Sequence, residues 1–182
     1  TILPYNGRWP QEFNQIQAAL AAALGPLALR IDHIGSTSVP GLGAKDVIDV
    51  QVTVTALSED VRQALLAAGF QQFREAVSDH VPPGEDPAPE KWQKFLFVQP
   101  EGQRRANIHV RVEGRPNQCY PLLFRDYLRA HPRSAQVVEI IKRQLAKHHG
   151  DDVAAYYDIK DPVYDLIWDA AQTWATCTGW TV

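Results

Sequence analysis

Two short stretches hold residue types that could place a phosphate and a divalent cation side by side. Gly35-Ser36-Thr37-Ser38 supplies small residues, hydroxyls and backbone N–H groups between two apolar runs. If a short helix opens there, its N-terminal end favours a phosphate. The GxxxxGK[ST] spacing of a P-loop is absent, and a Gly-Ser turn also occurs as a plain connection. Asp49 follows on the polar side of an alternating run, Ile48 to Val54, with Gln51 two residues on and on the same side. Paired carboxylates at i and i+2 of a strand hold the hard cations that neutralise a triphosphate. Gln51 is a neutral amide and a weaker ligand for such a cation. Lys45, four residues before Asp49, is placed to reach a phosphate or to sit in solvent.

A second alternating run, Asn107-Ile108-His109-Val110-Arg111-Val112, mirrors the first. Asn107, His109 and Arg111 share one face, and in a common sheet they would lie beside Asp49 and Gln51. His33, just before the Gly-Ser turn, is expected at the same end. A His33, Asp49 and His109 set suits Zn or Mn better than Mg. The alternative is that each histidine hydrogen-bonds a neighbour. In Phe124-Arg125-Asp126-Tyr127-Leu128-Arg129 the two arginines are one helical turn apart, able to bind a phosphate or to pair with Asp126 and other acids. Trp168 and Trp174 read as packing aromatics, and Cys119 and Cys177 have no activating context.

The elements around these residues follow from apolar spacing and breakers. Helices are expected over Pro10–Leu24 and from the Ser58 cap to Ala68. Strands are expected over Leu27–Ile34, Val47–Thr55, Phe70–Val77, Lys94–Val98 and Ala106–Val112, the last two as a hairpin. Val81–Pro89 carries too much proline for a regular element. Beyond Asn117 the pattern is helical: Tyr120–Ala130, Pro132 to about Gly150, and a helix starting at Asp161-Pro162. The order reads as an α+β fold with a mixed sheet and a helical C-terminal third.

Composition narrows the setting. The 182 residues carry a net charge of −3, which argues against an extended nucleic acid as the main partner. The two distant cysteines point to a reduced, cytoplasmic location. There is no signal-peptide pattern, and no apolar run approaches the roughly 20 residues that cross a bilayer, so no membrane partner is expected. Oligomeric state is left open.

His33 to Leu42, Ala44-Lys45 and Ile48-Asp49 resemble the signature of the GrpB-like proteins of the nucleotidyltransferase superfamily. Asn107 to Val110 and Phe124 to Pro132 resemble later blocks of that family. The resemblance implies a single domain over 1–182. It would hold a polymerase-β-like core over about 5–115, a small mixed sheet with helices on one side, and C-terminal helices over about 117–178. It matches Gly35 and Ser36 to the superfamily's Gly-Ser and Asp49 to the first acid of its Asp-x-Asp/Glu strand. Gln51 stands at the second acid, and the His109 strand stands where the third is expected. Family members are also found fused to dephospho-coenzyme A kinase.

Three functions are compatible with these residues. One is transfer of a nucleoside monophosphate to an unknown acceptor, with a metal (Mg or Mn, or Zn) on Asp49 and His109. Gly35, Ser36, Thr37, Ser38, Lys45, Arg125 and Arg129 would then hold phosphate, with Gln51, Asn107, Arg111 and Asp126 in support. The second is a non-catalytic module binding a small nucleotide, a phosphorylated metabolite or a metal. The third is a His/Asp metal-dependent phosphoester hydrolase.

Overall fold

The fold is seen in a computed structural model that describes residues 1–75 and 77–182, with Val153 described by its backbone alone. Five strands form one mixed sheet in the order β1-β2-β5-β4-β3: Arg30–Ile34 (β1), Ile48–Val54 (β2), Gln71–Phe73 (β3), Phe95–Val98 (β4) and Ala106–Val112 (β5). β2 and β5 are parallel, and the other pairs are antiparallel. The expected strand Phe70–Val77 is realised only as β3, and its position 76 lies outside the described residues.

The alternation in β2 and β5 divides the sheet into two unlike faces. Ile48, Val50, Val52 and Val54 register with Ala106, Ile108, Val110 and Val112. All eight are buried in one cluster with residues of helix α1 (Trp9–Leu24) and helix α2 (Glu59–Ala67). Ser58 caps α2, its hydroxyl accepting from the Val61 N–H at 3.3 Å. On the opposite face Asp49, Gln51 and Thr53 register with Asn107, His109 and Arg111.

The C-terminal helices cover part of this polar face. After the short α3 (Pro89–Trp92) they are α4 (Pro116–Ala130), α5 (Pro132–His148) and α6 (Val153–Thr178). Val39 and Leu42, from the connection between β1 and β2, insert among Leu128, Ala135 and Val138. Helix α6 begins well before the Asp161-Pro162 start expected from sequence. The Asp152 carboxylate caps it by accepting from the Ala155 N–H at 3.0 Å. Pro162 lacks one donor inside the helix, yet Tyr156 before it and Trp168 after it are both buried, so packing carries the helix past the gap. Among the described residues no helix is long and apolar enough to cross a membrane.

Candidate functional site

Where the polar face is left uncovered, a cavity of about 510 Å³ opens between the sheet, the Gly-Ser turn and helices α4 to α6. Asp49 stands at its floor. Its Oδ1 accepts from Asn107 Nδ2 at 2.9 Å and lies 3.8 Å from His109 Nε2. Burial would raise the Asp49 pKa, but hydrogen bonding and charge from His109 and Asn107 outweigh it and hold the carboxylate ionised. Burial and the nearby Arg111 lower the His109 pKa against the opposing pull of Asp49.

Gly35 makes room for that carboxylate. Its φ of +69° suits glycine, and a Cβ there would stand 2.5 Å from Asp49 Oδ2. The 3-10 turn Ser36–Ser38 follows, but its three hydroxyls have different fates. Ser38 Oγ donates to the Gly35 carbonyl at 2.5 Å, and Thr37 Oγ1 is 2.9 Å from His33 Nε2. Ser36 Oγ meets Lys142 Nζ of α5 at 2.8 Å, on the cavity wall. Ser36 is therefore the hydroxyl of this turn that meets a cation at the cavity. Thr37 and Ser38, expected with it, hold the turn together.

His33 is parted from the set expected for it. It registers with Val50, on the apolar face of the sheet, and stacks on Phe13 of α1 at 4.7 Å. Burial, together with Arg129, lowers its pKa to about 4. Among the described residues no three His, Cys, Asp or Glu side chains come together as metal ligands. The transition-metal trio of His33, Asp49 and His109 is not formed, because one strand residue of offset reverses the face.

The arginines expected to bind phosphate both clamp the turn, and Arg125 also lines the cavity. Arg125 Nη1 donates to the His33 carbonyl at 3.0 Å, and its Nε to Asp126 at 2.8 Å. Arg129 donates twice to the Ser38 carbonyl, at 3.0 and 2.8 Å. Asp126 also accepts from Trp180 Nε1 at 3.0 Å, tying the end of the chain to the clamp.

Gln51 is fully buried and has both ends of its amide engaged. Oε1 accepts from Arg111 Nη1 at 2.8 Å, and Nε2 donates to the Gln118 carbonyl at 2.9 Å. Arg111 also grips Asp79 through two bonds of 2.9 Å, and Lys94 reaches Asp79 at 2.6 Å. Burial would raise the Asp79 pKa, but these two cations hold it far below the ordinary carboxylate range. Asp32, opposite Gln51 on β1, is bound by Arg30 at 2.7 and 2.8 Å. These donors do not fit a two-metal site of the polymerase-β type: on the polar face of β2 and β5 Asp49 is the carboxylate at the cavity, the neighbouring positions hold an engaged amide, an imidazole and a guanidinium, and Asp79 on the cavity wall is taken by Arg111 and Lys94.

Sequence reasoning missed the cations of the C-terminal helices. Lys142 is 5% exposed and also donates to the Gly43 carbonyl at 3.1 Å. Lys160 of α6 lies 4.1 Å from the centre of the Tyr164 ring, and Lys45 lies 4.7 Å from that of Tyr156. All three lysines and both tyrosines line the cavity. On a bare sequence Lys142 and Lys160 are ordinary helix-surface lysines. Their one signal is that Lys160 follows the tyrosine pair Tyr156-Tyr157 and precedes Tyr164 at one-turn spacing.

The family model described as GrpB protein matches residues 1–169. The chain belongs to the GrpB family. It is 34% identical to a dephospho-CoA kinase of Mycolicibacterium paratuberculosis over 98% of this chain and 47% of that protein. The chain thus spans about half the length of the first curated relatives it matches. The crystal structure of the conserved protein GrpB from Enterococcus faecalis superposes with a TM-score of 0.77 at 27% identity, covering 96% of this chain and 99% of that one. The GLD-2/RNP-8 complex structure matches at a TM-score of 0.57 and 14% identity, over 91% of this chain and 51% of that one, a likeness of fold alone. The GrpB chain therefore has a nucleotidyltransferase-like fold, as its sequence led us to expect.

Proposed function

We propose that this GrpB protein binds a nucleotide or a closely related phosphorylated metabolite in the cavity, without two-metal nucleotidyl transfer. The observation that carries the reading is the state of Gln51. At the position of the second acid its amide is closed off between Arg111 and Gln118, while lysines gather on the other side of the cavity. Ser36, Lys45, Lys142 and Lys160 supply donors for phosphate oxygens. Tyr156, Tyr157 and Tyr164 supply aromatic surface for a base, since stacking tolerates any base. The name of the mycobacterial relatives, dephospho-CoA kinase, is compatible with a nucleotide-bearing ligand.

Calorimetric titration of the full chain with the four ribonucleoside triphosphates and with dephospho-coenzyme A tests the reading, beside a pyrophosphate-release assay on the same samples. Saturable binding with no pyrophosphate release is expected. The transferase reading retains one observation, the Asp49, Asn107 and His109 group open to the cavity. Pyrophosphate release that vanishes in Asp49→Asn would establish it and overturn ours.

A further inference from the structure

We propose that the cavity takes its ligand as a bare polyphosphate anion, a nucleoside triphosphate free of magnesium, with lysine ammonium groups where the superfamily fold implies metal ions. This rests on the nucleotide reading above and adds the ionic form that binds.

The charges around the cavity support it. Lys45 comes from the connection before β2, Lys142 from α5 and Lys160 from α6, so three separate elements bring three cations together. Lys142 is almost wholly buried, yet its hydrogen bonds go to neutral acceptors, Ser36 Oγ and the Gly43 carbonyl. A buried ammonium without a carboxylate partner costs several kcal/mol. Burial, with smaller contributions from Lys160 and Lys45, lowers the Lys142 pKa to about 8 against the opposing pull of Asp49 and Glu139. Lys45 is held over a tyrosine ring, a weak partner beside a phosphate, and Lys160 lies over another with Asp161 3.3 Å from its Nζ.

The acids on the cavity wall balance these lysines only in part. Asp79 is bound by Arg111 and Lys94, and Asp161 by Lys160 at 3.3 Å. Asp49 is left to face the cluster. A magnesium nucleotide is usually steadied by one or two carboxylates on its metal and has already lost part of its charge to it. The free anion keeps its full charge for the lysines and asks only one concession, its approach to Asp49. Magnesium therefore competes with the protein for the same phosphate oxygens.

The test titrates the full chain with ATP in EDTA and again in excess magnesium, following binding by calorimetry. Binding in EDTA is expected, weakened at least about tenfold by magnesium, since a site built from several charges loses affinity steeply when the ligand's charge falls. Lys45 is exposed, so Lys45→Gln leaves the fold intact and lowers affinity in EDTA by about three- to tenfold. Asp49→Asn removes the one repulsive charge and tightens binding in EDTA by a similar factor, about three- to tenfold. Binding that needs magnesium or is as strong with it, or affinity lost in Asp49→Asn, overturns this inference while leaving the nucleotide reading in place. Absence of binding by every nucleotide in both buffers removes the nucleotide reading and this inference with it.

Discussion

At one end of the polar sheet face Asp49, Asn107 and His109 open into a cavity; further along the same two strands Gln51 and Thr53 are sealed beneath α4, with Arg111, beside Thr53, reaching from there to the cavity wall. Both ends have the same alternation and the same kind of side chain. They differ in what the third layer does. Over Gln51 and Thr53, α4 brings the Gln118 backbone carbonyl and side-chain amide, the latter 3.4 Å from Thr53 Oγ1. Over Asp49 the nearest cover is the Gly-Ser turn, whose Gly35 has no side chain to close the gap. Polar residues at the sealed end bind one another and stabilise the fold. Those at the open end keep hydrogen-bonding capacity for a ligand.

The sharpest way to break this contrast is at the sealed end. Asp79→Ala leaves Arg111 and Lys94 buried without their anion and is expected to cost about 3–5 kcal/mol of stability by urea unfolding. A loss under about 1 kcal/mol would show that the network is solvated and the two ends alike.

Next comes the apolar face, through His33. Its folded pKa is about 4 against an ordinary value of 6.5. Between those values the unfolded chain binds more protons, so stability rises with pH across that window and is lost on acidification. The span is worth up to about 3 kcal/mol. Unfolding curves from pH 7 to pH 4 should show this slope, and His33→Gln should flatten it. An unchanged slope in that variant would place the titration elsewhere.

Gln51→Glu restores the acid of the superfamily pattern and asks whether sequence alone makes a metal site. The new carboxylate would face the Gln118 carbonyl, acceptor against acceptor, while keeping Arg111 as a partner. A net loss of about 1–3 kcal/mol in thermal unfolding is expected, with no gain in magnesium affinity. Magnesium binding created by this change would mean that the sealed end can open.

The smallest effect belongs to the open end. Asp49→Ala should alter stability by no more than about 1 kcal/mol, since the Asn107 amide it frees can turn to water in the cavity. A larger loss would make Asp49 a structural residue like Gln51.

Much of this architecture was legible in the residues. The period-two pattern of Ile48–Val54 and Ala106–Val112 located both central strands and assigned Asp49, Gln51, Asn107 and His109 to one face. The same pattern could not tell an engaged amide from an available one, because that depends on Gln118, which is 67 positions from Gln51. His33 shows the cost of register: paired with Val50 and not Asp49, it falls on the wrong side of the sheet. Arg125 and Arg129 were correctly seen as one helical face, yet their targets are the backbone carbonyls of His33 and Ser38, which leave no mark in composition. Lys142 escaped notice for a similar reason. Its burial comes from the packing of α5 onto the turn, where the Glu139 carboxylate accepts from the Gly43 N–H at 2.7 Å.

The bonds from Ser36 to Lys142 and from Gly43 to Glu139 join positions 106 and 96 residues apart. A ribosome that has delivered β1 to β5 has made every strand of the sheet but only one wall of the cavity. Binding competence arrives with the last third of the chain, when α5 and α6 dock. The converse holds in the finished protein. On the proposed reading, a ligand bound between the sheet and these two helices would resist their opening. Amide exchange in α5 and α6 is then where occupancy of the proposed site is expected to show.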